Sequence, residues 1–487
     1  MAIALDPAPD TGPQFSLRPT SKAQEMPALH DLTALDLLKA YKSKKLSPVD
    51  VIDDVVAHIG KWEPKLQALY APDFSAARTA AKASAARWKK GKPVGPLDGV
   101  PITIKENIAS KGVPVPLGTA ASTLVPAAAD APPTARVREA GAIILAKTTM
   151  PDYGMLSSGL SSFHPLTRNP WDLSKNPGGS SSGAGAATAA GYGPLHIGTD
   201  IGGSVRLPSG WCGVFGLKPS LGRIPIDPPY VGRVAGPMTR TVQDSALLMS
   251  VLSQPDIRDH MSLPPQKIAW MKLEREVKGL KIGLQLDAGY GLPVDPEVKA
   301  AIEAAAKLFG KAGAKLAPVA SILDREVFDG LDNFWRARAW EDIVRLSPET
   351  RVKILPFIAS WARKALQLSS VDVIRGFNCI MEMRKRATAA CAPFDYVLSP
   401  TAPIPAFAAD LPCPTNESSR PLEHVGFTVL WNMSEQPAAT INCGYTKGGL
   451  PIGLQIIGHR FDDLGVLQLA RWYEERRPPQ KPWPLPR

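Results

Sequence analysis

Residues 176–208 read NPGGSSSGAGAATAAGYGPLHIGTDIGGSVRLP. Gly and Ser crowd the first part, Asn176–Gly183, and an Ala-rich run of good helix formers follows. Leu195–Gly198 is then a short apolar run of the kind that forms a buried strand, and it leads directly into a second Gly-rich turn, Gly198–Pro208. A loop entering a helix, then a strand leaving into another loop, is the local order of an α/β protein.

The same alternation extends outward from this stretch. Val100–Ile104 alternates like a strand ending at Lys105, Thr134–Ala140 reads as helix, and Gly141–Lys147 is a second short apolar run. Further on, a strand pattern over Leu280–Leu286 precedes a helical one over Pro296–Ala312. Leu450–Gly458 likewise precedes a helix over Gly465–Glu475. Toward the N-terminus, Leu35, Leu37, Leu38 and Tyr41 fall at helical spacing behind Thr33 as cap. Ser47-Pro48 opens a second helix through Val51, Ile52, Val55 and Ile59, and Ala76–Trp88 is a third. The pattern predicts an α/β fold around a largely buried sheet, with no internal repeat and no linker between halves. Residues 1–26 hold Pro, Asp, Gly, Ser and Thr without periodicity and read as a flexible arm, leaving 27–487 as one large domain.

Composition bounds the function. The chain has 487 residues, 44% hydrophobic and 21% charged, which excludes wholesale disorder and fibrous architecture. Its net charge of +11 is spread over scattered Lys and Arg, with no run longer than Lys89-Lys90-x-Lys92, so no nucleic-acid partner is expected. The five cysteines, Cys212, Cys379, Cys391, Cys413 and Cys443, are odd in number, widely spaced and without a CxxC pair. They support neither a metal knuckle nor a disulfide framework; reduced thiols, with Cys443 a small buried residue, are expected. The start, Met1–Asp6, turns acidic too soon for a signal peptide, and no apolar stretch approaches the ~20 residues of a membrane span. A cytoplasmic protein that does not engage membranes is the expectation.

Two segments could carry chemistry. Clustered glycines at 178–183 let the backbone approach a ligand closely, and Ser180–Ser182 fall where a loop enters a helix, whose free N–H groups favour negative charge. In the second segment, Gly202-Gly203 before Ser204 would present consecutive N–H groups beside a hydroxyl. That arrangement holds an oxyanion while the hydroxyl attacks a carbonyl. A serine needs a base. None of the seven histidines lies in either segment; His196 is read as packed on the strand between them, and His164 reads as a loop residue. Lys105, ending an apolar strand, is the remaining candidate. Its pKa of ~10.4 in water falls when the amine is buried in apolar surroundings.

Taken in order, Gly99-Val-Pro-Ile-Thr-Ile-Lys-Glu-Asn107, Pro177-Gly-Gly-Ser-Ser181, Gly198-Thr-Asp-Ile-Gly-Gly-Ser-Val-Arg206, Cys212–Pro219, Gly236–Val242 and Gly449–Gly458 resemble the amidase signature family of serine hydrolases. The resemblance covers most of residues 31–475 and thins at about 315–395, a divergent, partly helical region that would shape the substrate site. It implies one domain with a central mixed, mostly buried β-sheet flanked by helices on both faces. It also implies hydrolysis of amides, with esters or carbamates also open, through a Ser–cis-Ser–Lys triad and an acyl-enzyme intermediate, without metal or cofactor. Ser204 matches the nucleophile, Ser180 the bridging serine and Lys105 the base, and the peptide Gly179–Ser180 is expected to be cis. The family sequence Gly-Gly-Ser-Ser-Gly-Gly is here Gly178-Gly-Ser-Ser-Ser-Gly183, which makes Ser181 the alternative bridge; the 24-residue separation from Ser204 favours Ser180. The N–H groups of Ile201, Gly202, Gly203 and Ser204 match the oxyanion hole, and Ser181, Asp200 and Arg206 match supporting positions.

In this family the loop after the Gly141–Lys147 strand lines the acyl pocket, which makes Gly154 and Met155 candidates here, with Trp431 a third. Phe334, Trp335, Trp340 and Trp361 either shape an apolar channel or belong to the core. The partner implied is a small-molecule amide, the acting form a monomer or homodimer. One alternative is an A-type subunit of a tRNA-dependent amidotransferase. Against it, Ser220–Tyr230 after Lys218-Pro219 is closer to stand-alone amidases. A phosphate-binding small-molecule kinase would use 177–187 as its cradle, but it leaves Lys105 and 198–206 unexplained and there is no Walker pattern. A catalytically dead binding member of the family would not need the three filled triad positions.

Overall fold

The computed structural model describes residues 28–486. The arm expected over residues 1–26 lies outside them. Eleven strands form one mixed sheet: β1 (Leu69–Tyr70), β2 (Pro101–Lys105), β3 (Ile143–Thr148), β4 (Leu195–Asp200), β5 (Phe215–Lys218), β6 (Val234–Thr239), β7 (Lys281–Leu284), β8 (Lys315–Pro318), β9 (Tyr396–Pro400), β10 (Ala438–Tyr445) and β11 (Pro451–Ile457). Their order across the sheet is β1-β3-β2-β4-β6-β5-β10-β11-β9-β7-β8. β3, β2 and β4 run parallel at one end and β9, β7 and β8 at the other. Antiparallel pairings from β4 through β6, β5, β10 and β11 to β9 join the two ends. The expected α/β class and single mixed sheet are present, and each strand and helix expected above has its counterpart within a few residues.

Both faces of the sheet are covered, and the period of two along each strand shows how. On β9, Tyr396 and Leu398 join one apolar cluster and Val397 another; on β11, Leu454 and Ile456 join the first and Ile457 the second. The first cluster packs the sheet against the helices Val242–Leu252, Pro296–Lys311 and Asp463–Glu474. The second holds the helices Arg325–Val344, Pro356–Arg363, Ser370–Cys391 and Val429–Met433, so the divergent stretch builds the roof over one face. A third cluster joins the two helices Pro48–Leu66 and Phe74–Lys89 to β3.

The helix Ser182–Ala190 is made wholly of small residues and is wholly buried. A Cβ at Gly183 would stand 2.2 Å from the Ala68 carbonyl oxygen and 2.5 Å from the Thr149 nitrogen. One at Gly185 would stand 2.9 Å from Pro208 Cβ. The Gly/Ala run is therefore a packing requirement: it lets the helix lie against β3 and the Arg206–Cys212 helix, which fixes where Ser180 and Ser181 enter it.

Candidate active site

β2 lies between two parallel neighbours, β3 and β4, so its C-terminal residue is sheathed by backbone. Ile102 and Ile104 enter the first apolar cluster; Lys105, of opposite parity, faces the other side of the sheet and is 0% exposed. Its Nζ hydrogen-bonds Ser180 Oγ at 2.8 Å and Ser181 Oγ at 3.0 Å. Among the described residues it forms no ion pair. Burial holds its pKa well below the ordinary lysine value, and repulsion from Arg233 adds to this, with Asp200 and Glu106 opposing.

The loop bearing the two serines is tied at several points. Asn176 Oδ1 accepts from the Gly178 N–H at 2.8 Å, and Asn176 Nδ2 donates to Ser158 Oγ at 2.9 Å. The Gly179–Ser180 peptide is cis, as the resemblance implied. Ser181 stands at the N-cap of the Ser182–Ala190 helix but caps nothing with its side chain. Its hydroxyl is committed to Lys105 and to β4, donating to the Thr199 carbonyl and accepting from the Thr199 N–H, each at 3.2 Å. Ser180, 4% exposed, hydrogen-bonds only Lys105 among the described side chains, which leaves its hydroxyl capacity for one more exchange. The Ser181 N–H donates to the Ser204 carbonyl at 3.2 Å, so the two Gly/Ser segments touch.

The turn carrying Ser204 is built on a buried carboxylate. Asp200 Oδ1 accepts from the Gly203 N–H at 2.8 Å, Arg206 Nη2 at 2.9 Å and Asn432 Nδ2 at 2.9 Å; Oδ2 accepts from the Val205 N–H and from Arg206 Nε, each at 3.0 Å. Burial alone would push this carboxyl up, but Arg206, Lys218 and these donors outweigh it and hold it far below the usual range. Arg206 reaches on to the Thr428 carbonyl at 2.9 Å and Gln455 Oε1 at 2.7 Å.

The Gly203 N–H, expected among the oxyanion donors, is thus already engaged by Asp200. Thr428 Oγ1 donates to the Gly202 carbonyl at 2.6 Å, so both ends of that peptide are anchored. The N–H groups of Ile201, Gly202 and Ser204 donate to no protein acceptor among the described residues, whereas that of Gly203 is occupied.

Ser204 is partly exposed and opens into a narrow cavity of about 50 Å³. Gly154, Met155, Leu156, Ser157, Ile201, Gly202, Trp335, Arg338, Trp361, Leu422 and Val425 line it. Gly154 lies over Ser180: a Cβ there would stand 3.1 Å from Ser180 Oγ. Trp431, expected in the pocket, is 0% exposed within the Val429–Met433 helix and does not reach this cavity; the apolar roof has claimed it. Of the four divergent aromatics, Trp335 and Trp361 line the cavity, while Phe334 and Trp340 pack against the roof. His164 lies in a loop, as read, and is buried there in contact with Glu106. His196 is packed on β4 as expected, bonded to Thr103 Oγ1 and the Gly193 carbonyl.

Sequence reasoning did not find Arg338, Leu422, Val425, Thr428, Asn432 or Gln455. The one local signal was spacing: Trp335 and Arg338, three apart on a helix, share a face. A larger hollow of about 440 Å³ lies between Arg325, Asp332 and Arg420. Its arginines are paired there with Glu423 and Asp332, and Lys105, Ser180 and Ser204 are not among its lining residues.

These features describe an α/β enzyme whose buried amine meets serine hydroxyls beneath a small apolar cavity. A family model described as Amidase matches residues 50–467. The A-type subunit of the glutamyl-tRNA(Gln) amidotransferase of Myxococcus xanthus is 33% identical over 92% of this chain and 97% of its own length. An acylamidase of Rhodococcus erythropolis is 32% identical over 92% and 96%. Among solved structures, a bacterial aryl acylamidase of the amidase signature family superposes with a TM-score of 0.83 at 30% identity, covering 92% of this chain and 96% of that one. A 6-aminohexanoate cyclic dimer hydrolase gives 0.83 at 26%, covering 94% and 99%. The class is that of amide-hydrolysing enzymes, and the chain belongs to the amidase signature family. No helix among the described residues is long and apolar enough to cross a membrane.

Proposed function

We propose that the chain hydrolyses small-molecule amides through a Ser204–Ser180–Lys105 relay and an acyl-enzyme intermediate. The observation carrying this reading is the fully buried Lys105 amine 2.8 Å from Ser180 Oγ. A buried amine without a carboxylate partner favours its neutral form, which can accept a proton at neutral pH.

The steps follow from that state. Ser180 passes its hydroxyl proton to Lys105 and takes one from Ser204, whose Oγ attacks the amide carbon. Negative charge on the carbonyl oxygen is met by the free N–H groups of Ile201, Gly202 and Ser204, each such donor being worth about 3–4 kcal/mol of barrier. The C–N bond then breaks as Ser180 gives a proton to the leaving nitrogen and is resupplied by Lys105. Water attacks the acyl-enzyme by the same route in reverse, releasing the carboxylic acid and restoring Ser204. Ser181 and the Asp200–Arg206 pair hold the two loops and stay out of the proton path.

The test is mass spectrometry after treatment with a fluorophosphonate, together with amine release from an anilide. Modification of Ser204 that disappears in Lys105→Ala along with turnover supports the relay; labelling of another serine refutes it. The amidotransferase relative from Myxococcus xanthus is as similar in sequence as the acylamidase. The aryl acylamidase superposes more closely than the corresponding amidotransferase chain of Thermotoga maritima, with TM-scores of 0.83 and 0.75. Hydrolysis by the isolated chain favours the stand-alone reading.

A further inference from the structure

The cavity at Ser204 is apolar on most sides, walled by Met155, Leu156, Trp335, Trp361, Leu422 and Val425. Arg338 interrupts that wall. It projects from the Arg325–Val344 helix, and its guanidinium lies 4.1 Å from the centre of the Tyr230 ring. Among the described residues it makes no ion pair and no hydrogen bond. Asp342, one turn further along the same helix, is within electrostatic influence but beyond ion-pair distance. Every other arginine of this helix is paired: Arg325 with Glu423 and Asp329, and Arg336 with Asp332. A guanidinium over a ring with no hydrogen-bond partner has its N–H groups free for a planar, two-oxygen acceptor.

A second cation stands close by. Arg233 hydrogen-bonds the Pro228 carbonyl at 3.1 Å and pairs with no carboxylate among the described residues. Burial, followed by repulsion from Arg338, brings its pKa down to about 10. Arg233 and Arg338 repel each other; Asp227 acts electrostatically on the first and Asp342 on the second, but neither guanidinium forms an ion pair among the described residues, so an anion reaching Arg338 in the cavity would offset that repulsion.

We propose that Arg338 is a specificity residue that binds a carboxylate carried by the substrate, so that the preferred amides have an apolar or aryl body bearing a carboxylate group. This rests on the cavity at Ser204 being the amide site. A carboxylate on either half of the substrate satisfies the chemistry, and matched pairs separate the two: 4-acetamidobenzoate against acetanilide for the amine side, and succinanilate against butyranilide for the acyl side.

Binding is measured by calorimetry on the full chain carrying Ser204→Ala, so that it does not depend on turnover. The carboxylate member of one pair is expected to bind about 10- to 100-fold more tightly than its uncharged counterpart, as a charge-assisted hydrogen bond confers. Arg338→Met, in the same background, should bring that ratio to near one, and Arg338→Lys should restore part of it. Equal affinities within both pairs, or a ratio that Arg338→Met leaves unchanged, overturns the proposal. Amine release by the wild-type chain is scored separately. Arg338-dependent carboxylate binding without cleavage of any amide would sink the hydrolase reading alone; cleavage without carboxylate preference would sink this proposal alone.

Discussion

Gly154→Ala separates a packing cost from a catalytic one. Gly154 sits at φ +68°, and a Cβ there would lie 3.1 Å from Ser180 Oγ and 3.2 Å from Met150 Cε. A left-handed backbone at a non-glycine residue costs about 1–2 kcal/mol, which should appear as lost stability. The Met150 methyl is the free end of a flexible side chain and can move aside; Ser180 Oγ is held by Lys105 at 2.8 Å and cannot move without lengthening that bond. A displacement of a few tenths of an ångström in the relay should lower kcat by about tenfold, or about 1.4 kcal/mol of barrier, given that a full ångström can cost about 100-fold. Gly112→Ala is the control: it has φ +83° and nothing within 4 Å of its added Cβ, so it shares the backbone cost and lacks the crowding. Thermal unfolding and steady-state kinetics on both variants decide the matter. If Gly154→Ala loses stability like Gly112→Ala yet keeps full kcat, Ser180 is not the residue that passes the proton.

Further outcomes concern the two serines, the pH profile and the buried carboxylate. Ser180→Ala should abolish turnover, by about 100-fold or more as for a lost general acid–base group. Ser181→Ala should retain the relay and lose mainly stability, through its bonds to Thr199; equal kinetic losses in the two would contradict the assignment. In the pH profile, a lysine held below its ordinary pKa is neutral above the depressed value, so kcat/KM should rise with pH to a plateau reached well before the ordinary lysine value of 10.5. Arg233→Met removes a repelling charge and should move that rise toward higher pH; a shift to lower pH would mean that another group sets it. Finally, Asp200→Asn leaves Arg206 buried without its counter-charge and should cost about 3–5 kcal/mol of stability, seen as a lower denaturation midpoint.

The α/β class, the positions of β2, β3 and β4 to within two residues, and the entry of a loop into a helix near Ser180–Ser182 were legible in the sequence because each rests on local periodicity, caps and glycines. So was the meeting of Lys105 with Ser180, since a resemblance in motif order specifies residues. What the tertiary structure alone decided depends on contacts across long separations. The buried state of Lys105 is set by the strands on either side of it and by Ser180, 75 positions away. The engagement of the Gly203 N–H and the Gly202 carbonyl turns on an Asp200 carboxylate and on Thr428, 226 positions downstream of Gly202. Trp335 and Trp361 reach the cavity while Trp431 does not, although all three read alike as aromatics in apolar surroundings. An apolar pattern says that a side chain leaves water; which wall it joins is fixed only when the roof helices close over the sheet.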